Sequence, residues 1–227
     1  MIHWNNDPDE DNWVDEGMAC IAAIVNQGTD SHWPSFVQNC ESENLLSWLA
    51  GEENYGQAFY FMFYLLRQFA KEEAQASQLT RRIVQSKERG IKGVLGALTE
   101  RGTEIDFTAL FRNFCVACFV NDPALGNGIY SFNGRNVSKC KPFRTRPKNA
   151  TGTHELVFAD DGTAPMLSTA GYLMNLQEVT GPIRVKFEGT TQGNETLHNS
   201  FQVAMVLYDN ELSLTRNPSR IQWLKMS

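Results

Sequence analysis

Three aspartates alternate near the start of the chain and could bind a cation. Asp7, Asp9 and Asp11 lie in the acidic, turn-rich segment 5–12. Carboxylates at alternate positions are typical of calcium-binding loops, but an EF-hand loop also needs a glycine at its sixth position and a closing glutamate, which this segment lacks. The sequence therefore favours a solvated connector that holds the next helix in place.

Two cysteines, Cys115 and Cys118, have the spacing of a redox or metal-binding pair. They lie in a strongly apolar helical stretch, and free cysteine is among the most often buried side chains. The sequence therefore predicts two buried thiols here. The chain has five cysteines in all, too few and too widely spaced for a disulfide scaffold.

Glu16 lies at the start of a predicted amphipathic helix. Apolar residues recur at helical spacing over residues 13–25 and give this helix one apolar face. Asp15 and Glu16 fall in its first turn, where the helix dipole stabilises negative charge. By itself, this position explains Glu16 as an ordinary first-turn acid.

The wider phrase around Glu16 carries a family resemblance. The chain begins Met1-Ile2-His3-Trp4-Asn5-Asn6 and continues, after a loop, with Trp13-Val14-Asp15-Glu16-Gly17-Met18-Ala19. This arrangement resembles the gluzincin-type zinc metallopeptidases, specifically the hyicolysin-like secreted neutral proteases. In that family a His-Glu-x-x-His helix runs into a segment like residues 1–6, and a later helix opening with Asn-Glu-Gly-x-Ala-Glu supplies the third zinc ligand.

The resemblance implies a zinc cofactor, a peptide or protein substrate, secretion, and Glu16 as the third zinc ligand. The chain itself contains no His-Glu-x-x-His, and its four histidines show no ligand spacing. By the resemblance, that motif would lie immediately before Met1. The chain is therefore expected to be the C-terminal part of a secreted zinc-dependent endopeptidase, inactive by itself.

Two further positions bear on the resemblance. The phrase Asn54-Tyr55-Gly56-Gln57-Ala58 is similar to the segment that opens the next helix in the family, which implies a role for Tyr55 in stabilising the oxyanion of the reaction. Core packing is the alternative role for this tyrosine. Cys20 stands where the family usually has an acid that supports the metal site, and the loss of such an acid weakens metal binding.

Periodicity divides the chain into a helical part and a part with short β-type runs. Helices are predicted over residues 13–25, near 45–49, and over 54–70, 74–89, 91–101 and 106–121, the last with Asp106 as its N-cap. Strands are predicted over 155–158, 170–176, 183–188 and 201–208, whereas the polar residues 214–227 do not indicate a closing strand. In the helix over 54–70 the predicted buried stripe is Tyr55, Phe59, Met62, Leu66 and Phe69, with Gln57, Tyr60, Tyr64, Arg67 and Gln68 on the other side.

The fold class expected from these patterns and from the resemblance is α+β. Residues 1–125 form a mainly helical C-terminal lobe of a zincin-like peptidase in this interpretation. Residues 126–227 form a small antiparallel β-sandwich accessory domain, which segments 171–176 and 181–189 resemble.

Charge and hydropathy exclude two classes of partner. The formal net charge is −6 and the sequence pI is about 5.3, whereas a nucleic-acid-binding protein needs a basic face. No apolar run approaches the roughly 18–20 residues that a membrane-spanning helix requires. The sequence therefore predicts neither a nucleic-acid partner nor a membrane span.

A second hypothesis belongs to a different functional class. The chain could be a non-catalytic secreted binding or adhesion protein, with a helical domain and a β-sandwich that hold cell-surface sugars or proteins. Cys20 and the missing His-Glu-x-x-His favour this alternative. Glu16 with its surrounding phrase, and Tyr55, favour the peptidase.

Overall fold

The computed structural model describes residues 7–27, 33–40, 44–48, 52–133 and 137–140, together with four short strands. The described helices are α1 (Asn12–Gln27), α2 (Trp33–Gln38), α3 (Glu52–Phe69), α4 (Glu73–Val84), α5 (Gly90–Thr99) and α6 (Phe107–Val120). The strands are β1 (Phe143–Thr145), β2 (Tyr172–Met174), β3 (Val203–Leu207) and β4 (Arg220–Leu224). Within this part of the chain, no helix is both long enough and apolar enough to cross a membrane.

Helix α3 is the centre of the helical domain, and α1, α2, α4 and α6 pack against it. Its predicted apolar stripe is largely buried, but the side predicted to be polar is buried as well. Gln57 and Tyr60 are fully buried, and Tyr64 is almost so. Helix α3 therefore has neighbours on several sides. More of its surface is buried than its apolar stripe predicts.

The polar atoms on the second side of α3 bind the chain that follows α6. The hydroxyl of Tyr60 donates a hydrogen bond to the carbonyl of Ser138 at 3.1 Å, and that of Tyr64 donates to the carbonyl of Ile129 at 2.7 Å. Gln68 donates to the carbonyl of Gly128 at 2.9 Å. Burial raises the pKa of both phenols, so they stay protonated and can donate. These bonds give the two phenols and the Gln68 amide hydrogen-bond partners inside the protein.

An aromatic cluster joins the three helices α1, α3 and α6. Phe61 of α3 is completely buried. Its ring centroid lies 5.6 Å from that of Trp13, 5.9 Å from Phe107 and 5.2 Å from Phe114. These separations fall in the range of about 4.5–7 Å that aromatic pairs prefer, so the cluster contributes packing energy beyond simple area burial.

Both ends of α6 match the sequence prediction. Asp106 is the N-cap, and its Oδ1 accepts a hydrogen bond from the backbone N–H of Ala109 at 2.8 Å. The helix ends at Asn121, which adopts a left-handed conformation with φ of 44°. The Asn121 side chain then accepts a hydrogen bond from the backbone N–H of Phe132 at 2.9 Å, which brings the chain back onto the helix end.

Other helix boundaries differ from the prediction. Helix α4 ends at Val84, earlier than the predicted residue 89, and Gly90 begins α5 instead of only separating two helices. The predicted short helix near 45–49 is wrong, because residues 45–46 form a turn. In this turn the side-chain oxygen of Asn44 accepts a hydrogen bond from the backbone N–H of Leu46. The short helix α2 was not predicted, because Pro34 and the polar residues around it suggested a connection.

The prediction of an antiparallel β-sandwich is wrong. The described residues are mainly helical, and their four strands form two separate pairs, not two facing sheets. Strand β1 pairs with β2 in parallel, whereas β3 pairs with β4 in antiparallel orientation. Parallel strands need a long crossover connection. Alternating apolar residues predict that a strand exists, but they do not predict its partner strand or the direction of pairing. The sandwich prediction is wrong because it assumed both.

The individual strand predictions have mixed outcomes. Strands β2 and β3 lie within the predicted runs 170–176 and 201–208. Strand β4 lies in the segment 214–227, where no strand was expected, and pairs with β3 so that Trp223 is opposite Ala204. The predicted strands over 155–158 and 183–188 lie outside the described residues.

The predicted division between residues 125 and 126 stays a prediction. Residues on its C-terminal side nevertheless pack into the helical core: Phe132, Val137 and Cys140 are buried there with the residues of α3 and α6. Any experiment on this boundary must account for those contacts.

Candidate functional site

Glu16 is positioned by a close approach of α1 to α3. A β-carbon at Gly17 would lie 2.9 Å from the carbonyl oxygen of Ala58 and 2.8 Å from Cγ of Met62. Real side chains do not tolerate such contacts with backbone atoms, so only glycine permits this packing. Because Glu16 is adjacent to Gly17, the approach of the helices fixes the backbone that carries the carboxylate.

Tyr55 lies in the first turns of α3 and interacts with two residues of α1. Desolvation by burial raises the pKa of its phenol, and electrostatic interactions with Glu16 and Cys20 raise it further. Both glutamate and tyrosine are half-buried, whereas Cys20 is 7% exposed. The three side chains that the resemblance singles out therefore lie near one another.

The ring of Trp48 packs against the ring of Tyr55. The two ring centroids are 4.9 Å apart and the rings meet edge to face, at an interplanar angle of 72°. This contact limits the directions in which the phenol can point. The Trp48 ring thus belongs to the candidate site, which we define as Glu16, Cys20, Trp48 and Tyr55.

The described residues do not by themselves make a metal centre. Catalytic zinc is held by three protein ligands and keeps one open position. Among the described residues, no group of three histidine, cysteine, aspartate or glutamate side chains is arranged to hold a metal ion. Glu16 fits one ligand position only, and the four histidines of the chain lie outside the described residues.

The acidic loop before α1 contacts the turn before α5. Asp7 and Asp9 form ion pairs with the guanidinium of Arg89 at 2.7 and 3.0 Å. A carboxylate oxygen of Glu10 accepts a hydrogen bond from the backbone N–H of Gly90 at 2.7 Å. The hydrogen bond and charge of Asp7 raise the pKa of Arg89. Two of the three aspartates that could suggest calcium are thus paired with an arginine, and the loop anchors the beginning of α1.

An open cleft lies beside this anchor. Its volume is about 520 Å³, and it is lined by Asp7, Gln85, Ser86, Lys87 and Arg89. Its lining includes no residue of the candidate site. Because two of its three charged groups, Asp7 and Arg89, already bind each other, the cleft offers less to a charged ligand than its composition suggests.

Some residues of the site region were not predicted. Gly17 carries a usable signal, because a glycine inside a helix costs stability relative to alanine and therefore points to a close contact. Trp48 carries none, since a tryptophan in a connection can equally pack on a core or line a cleft. Arg89 likewise could not be paired with Asp7 from sequence, because they are far apart in the chain.

The coupling between Glu16 and Tyr55 can be measured in the chain as it stands. We expect the phenol of Tyr55 to titrate above its usual pKa of 10.0, and Glu16→Gln to lower that pKa, because the substitution removes a negative charge that opposes ionisation. The measurement is an NMR titration of tyrosine ring carbons, with Tyr55→Phe to assign the signal among six tyrosines.

Asp15→Asn is the matched control for this titration. It removes the same charge from the neighbouring position, and Asp15 is not among the causes that raise the pKa of Tyr55. We therefore expect a smaller shift from Asp15→Asn than from Glu16→Gln. Equal shifts would show that Glu16 acts only through the general charge of the helix end.

No protein-family model matches this sequence, and a search of curated proteins finds no significant match. The gluzincin hypothesis therefore depends on the residues named above and on their positions in the structure.

Proposed function

We propose that this chain supplies the helical part of a zinc-dependent endopeptidase in which Glu16 is a zinc ligand. One observation carries the proposal: the packing of α1 on α3 through Gly17 places Glu16 near Tyr55, so that its charge adds to the effect of burial in raising the pKa of the phenol. A glutamate near a tyrosine, on two helices that pack closely at Gly17, is compatible with the roles that the family resemblance implies for these residues. An ordinary first-turn acid would need no such neighbour.

Tyr55 has a definite task in this proposal. A tyrosine phenol is protonated at neutral pH, and the raised pKa of Tyr55 favours that form further, so it can donate a hydrogen bond. Hydrolysis of a peptide bond places negative charge on the carbonyl oxygen, and a fixed donor aimed at that oxygen lowers the barrier. The ring contact with Trp48 fixes the donor before substrate binds.

The proposal requires two more zinc ligands from residues outside the described part of the chain. The resemblance assigns them to a His-Glu-x-x-His segment upstream of Met1. It also supplies the other parts of the proposal, namely a peptide or protein substrate and an extracellular location.

The test uses a protein extended upstream of Met1 through such a segment, hereafter the extended protein. We expect Glu16→Gln to lower bound zinc and peptide hydrolysis together, by more than the roughly 10–100-fold that loss of an outer-sphere partner costs. The reason is that glutamine keeps the shape of the side chain but not its negative charge. Zinc content is measured by atomic emission after dialysis, and hydrolysis with casein.

Two controls make this experiment specific. Asp15→Asn changes the neighbouring acid and should retain zinc and activity. The 227-residue chain, whose sequence contains no His-Glu-x-x-His, should not bind zinc stoichiometrically at micromolar concentration. Normal zinc content and turnover in Glu16→Gln would overturn the proposal and favour the non-catalytic binding protein.

A further inference from the structure

Three of the five cysteines meet in the core between α2, α6 and residues 137–140. The thiol of Cys140 hydrogen-bonds with the thiols of Cys118 and Cys40. All three side chains are at most 2% exposed. They do not form a metal site, since no group of three ligating side chains in the described residues has a suitable arrangement.

Cys118 and Cys140 are also joined through their backbones. The N–H of Cys140 donates a hydrogen bond to the carbonyl of Cys118 at 2.9 Å. Disulfide-bonded cysteines most often have Cα atoms about 5.5–6 Å apart. The backbone hydrogen bond and the hydrogen bond between the two thiols make these residues immediate neighbours, as a disulfide requires.

We propose that Cys118 and Cys140 form a disulfide bond when the chain folds in the presence of a disulfide oxidant. The thiolate of one cysteine attacks the oxidant, forms a mixed disulfide and releases one thiol. The thiolate of the other cysteine then attacks the protein cysteine's sulfur in this mixed disulfide, which forms the Cys118–Cys140 bond, breaks the mixed disulfide and releases the second thiol of the oxidant. The two cysteines lose two protons and two electrons, and the oxidant is reduced to two thiols.

The folded protein itself should react slowly. Burial raises the pKa of Cys118, and the hydrogen bond with Cys118 raises that of Cys140. Because the thiolate is the reactive form, both thiols are protected once the core has closed. The bond would therefore form during folding, when the thiols are accessible.

The bond would fasten the chain after α6 to that helix. The same chain segment supplies the Ser138 carbonyl that accepts the Tyr60 hydroxyl. A disulfide at Cys140 would thus reinforce the contacts that cover the second side of α3. This inference does not depend on the proposed peptidase function.

The experiment refolds the reduced 227-residue chain in a glutathione redox buffer and blocks free thiols with iodoacetamide. Peptides are then analysed by mass spectrometry without reduction. Trypsin leaves Cys115 and Cys118 in one peptide, because the nearest cleavage sites are Arg112 and Arg135. The variant Cys115→Ala therefore assigns the link. We expect this peptide joined to the one that begins at Cys140, in the wild type and in Cys115→Ala alike.

A second readout is thermal stability. We expect reduction to lower the melting temperature of the refolded wild type by about 5–10 °C. This is the change expected when a disulfide that closes a loop of this size is broken in a chain of this length. Cys115→Ala should keep this difference, and Cys118→Ala should lose it. Full alkylation of all five cysteines after oxidative refolding would overturn the proposal, and so would a link from Cys140 to Cys40. Peptide mapping of the wild type decides the matter even if Cys118→Ala does not fold.

Discussion

Phe61→Ala is expected to lower the free energy of unfolding by about 3–5 kcal/mol, the cost of removing a fully buried phenylalanine. The ring fills the space between α1, α3 and α6, where it contacts Trp13, Phe107, Phe111 and Phe114. Alanine would leave a cavity lined by large rigid rings, which cannot collapse to fill it. Urea unfolding of the 227-residue chain, followed by circular dichroism, measures the change.

Val25→Ala is the control for this prediction. Val25 lies on α1 and is 77% exposed, so its truncation should change the free energy of unfolding by no more than about 0.5 kcal/mol. A loss below about 1 kcal/mol for Phe61→Ala would contradict the aromatic cluster as the centre of the core.

Gly17→Ala is expected to destabilise the protein by about 1–3 kcal/mol, although alanine is the better helix former. The added methyl group would press on the carbonyl of Ala58, which cannot move without moving α3. We also expect the pKa of Tyr55 to fall toward its usual value, because separating the helices takes Glu16 away from the phenol. Urea unfolding and the tyrosine titration measure the two effects.

Gly96→Ala is the matched control within α5. A β-carbon at Gly96 would meet no other atom within 4 Å, so the substitution should stabilise the protein by up to about 1 kcal/mol. If Gly17→Ala were as stabilising as Gly96→Ala, the close approach of α1 to α3 would be wrong.

The helices could be predicted largely because their signals are local. The spacing of apolar residues locates α1 and α3. Asp106 marks the start of α6, because its carboxylate accepts a hydrogen bond from the nearby backbone N–H of Ala109. The burial of Tyr60 and Tyr64 could not be predicted in this way. Their hydroxyls bind carbonyls more than sixty residues further along the chain, and no helical periodicity contains that information.

The strands depend even more on contacts between residues far apart in the chain, which local patterns do not predict. Apolar alternation locates β3, but the pairing of β3 with β4 depends on a segment whose composition gives no strand signal. At the candidate site, the sequence singles out Glu16, Cys20 and Tyr55 one by one. Their proximity depends on the packing of two helices at Gly17, which is a tertiary contact.

The most direct test of the peptidase proposal is the position of zinc in the extended protein. Diffraction data collected on both sides of the zinc absorption edge locate the ion without any assumption about its ligands. The proposal predicts one zinc ion with a carboxylate oxygen of Glu16 at about 2.0–2.2 Å and Tyr55 beside it. A zinc ion held entirely by other residues, with Glu16 directed elsewhere, would contradict it.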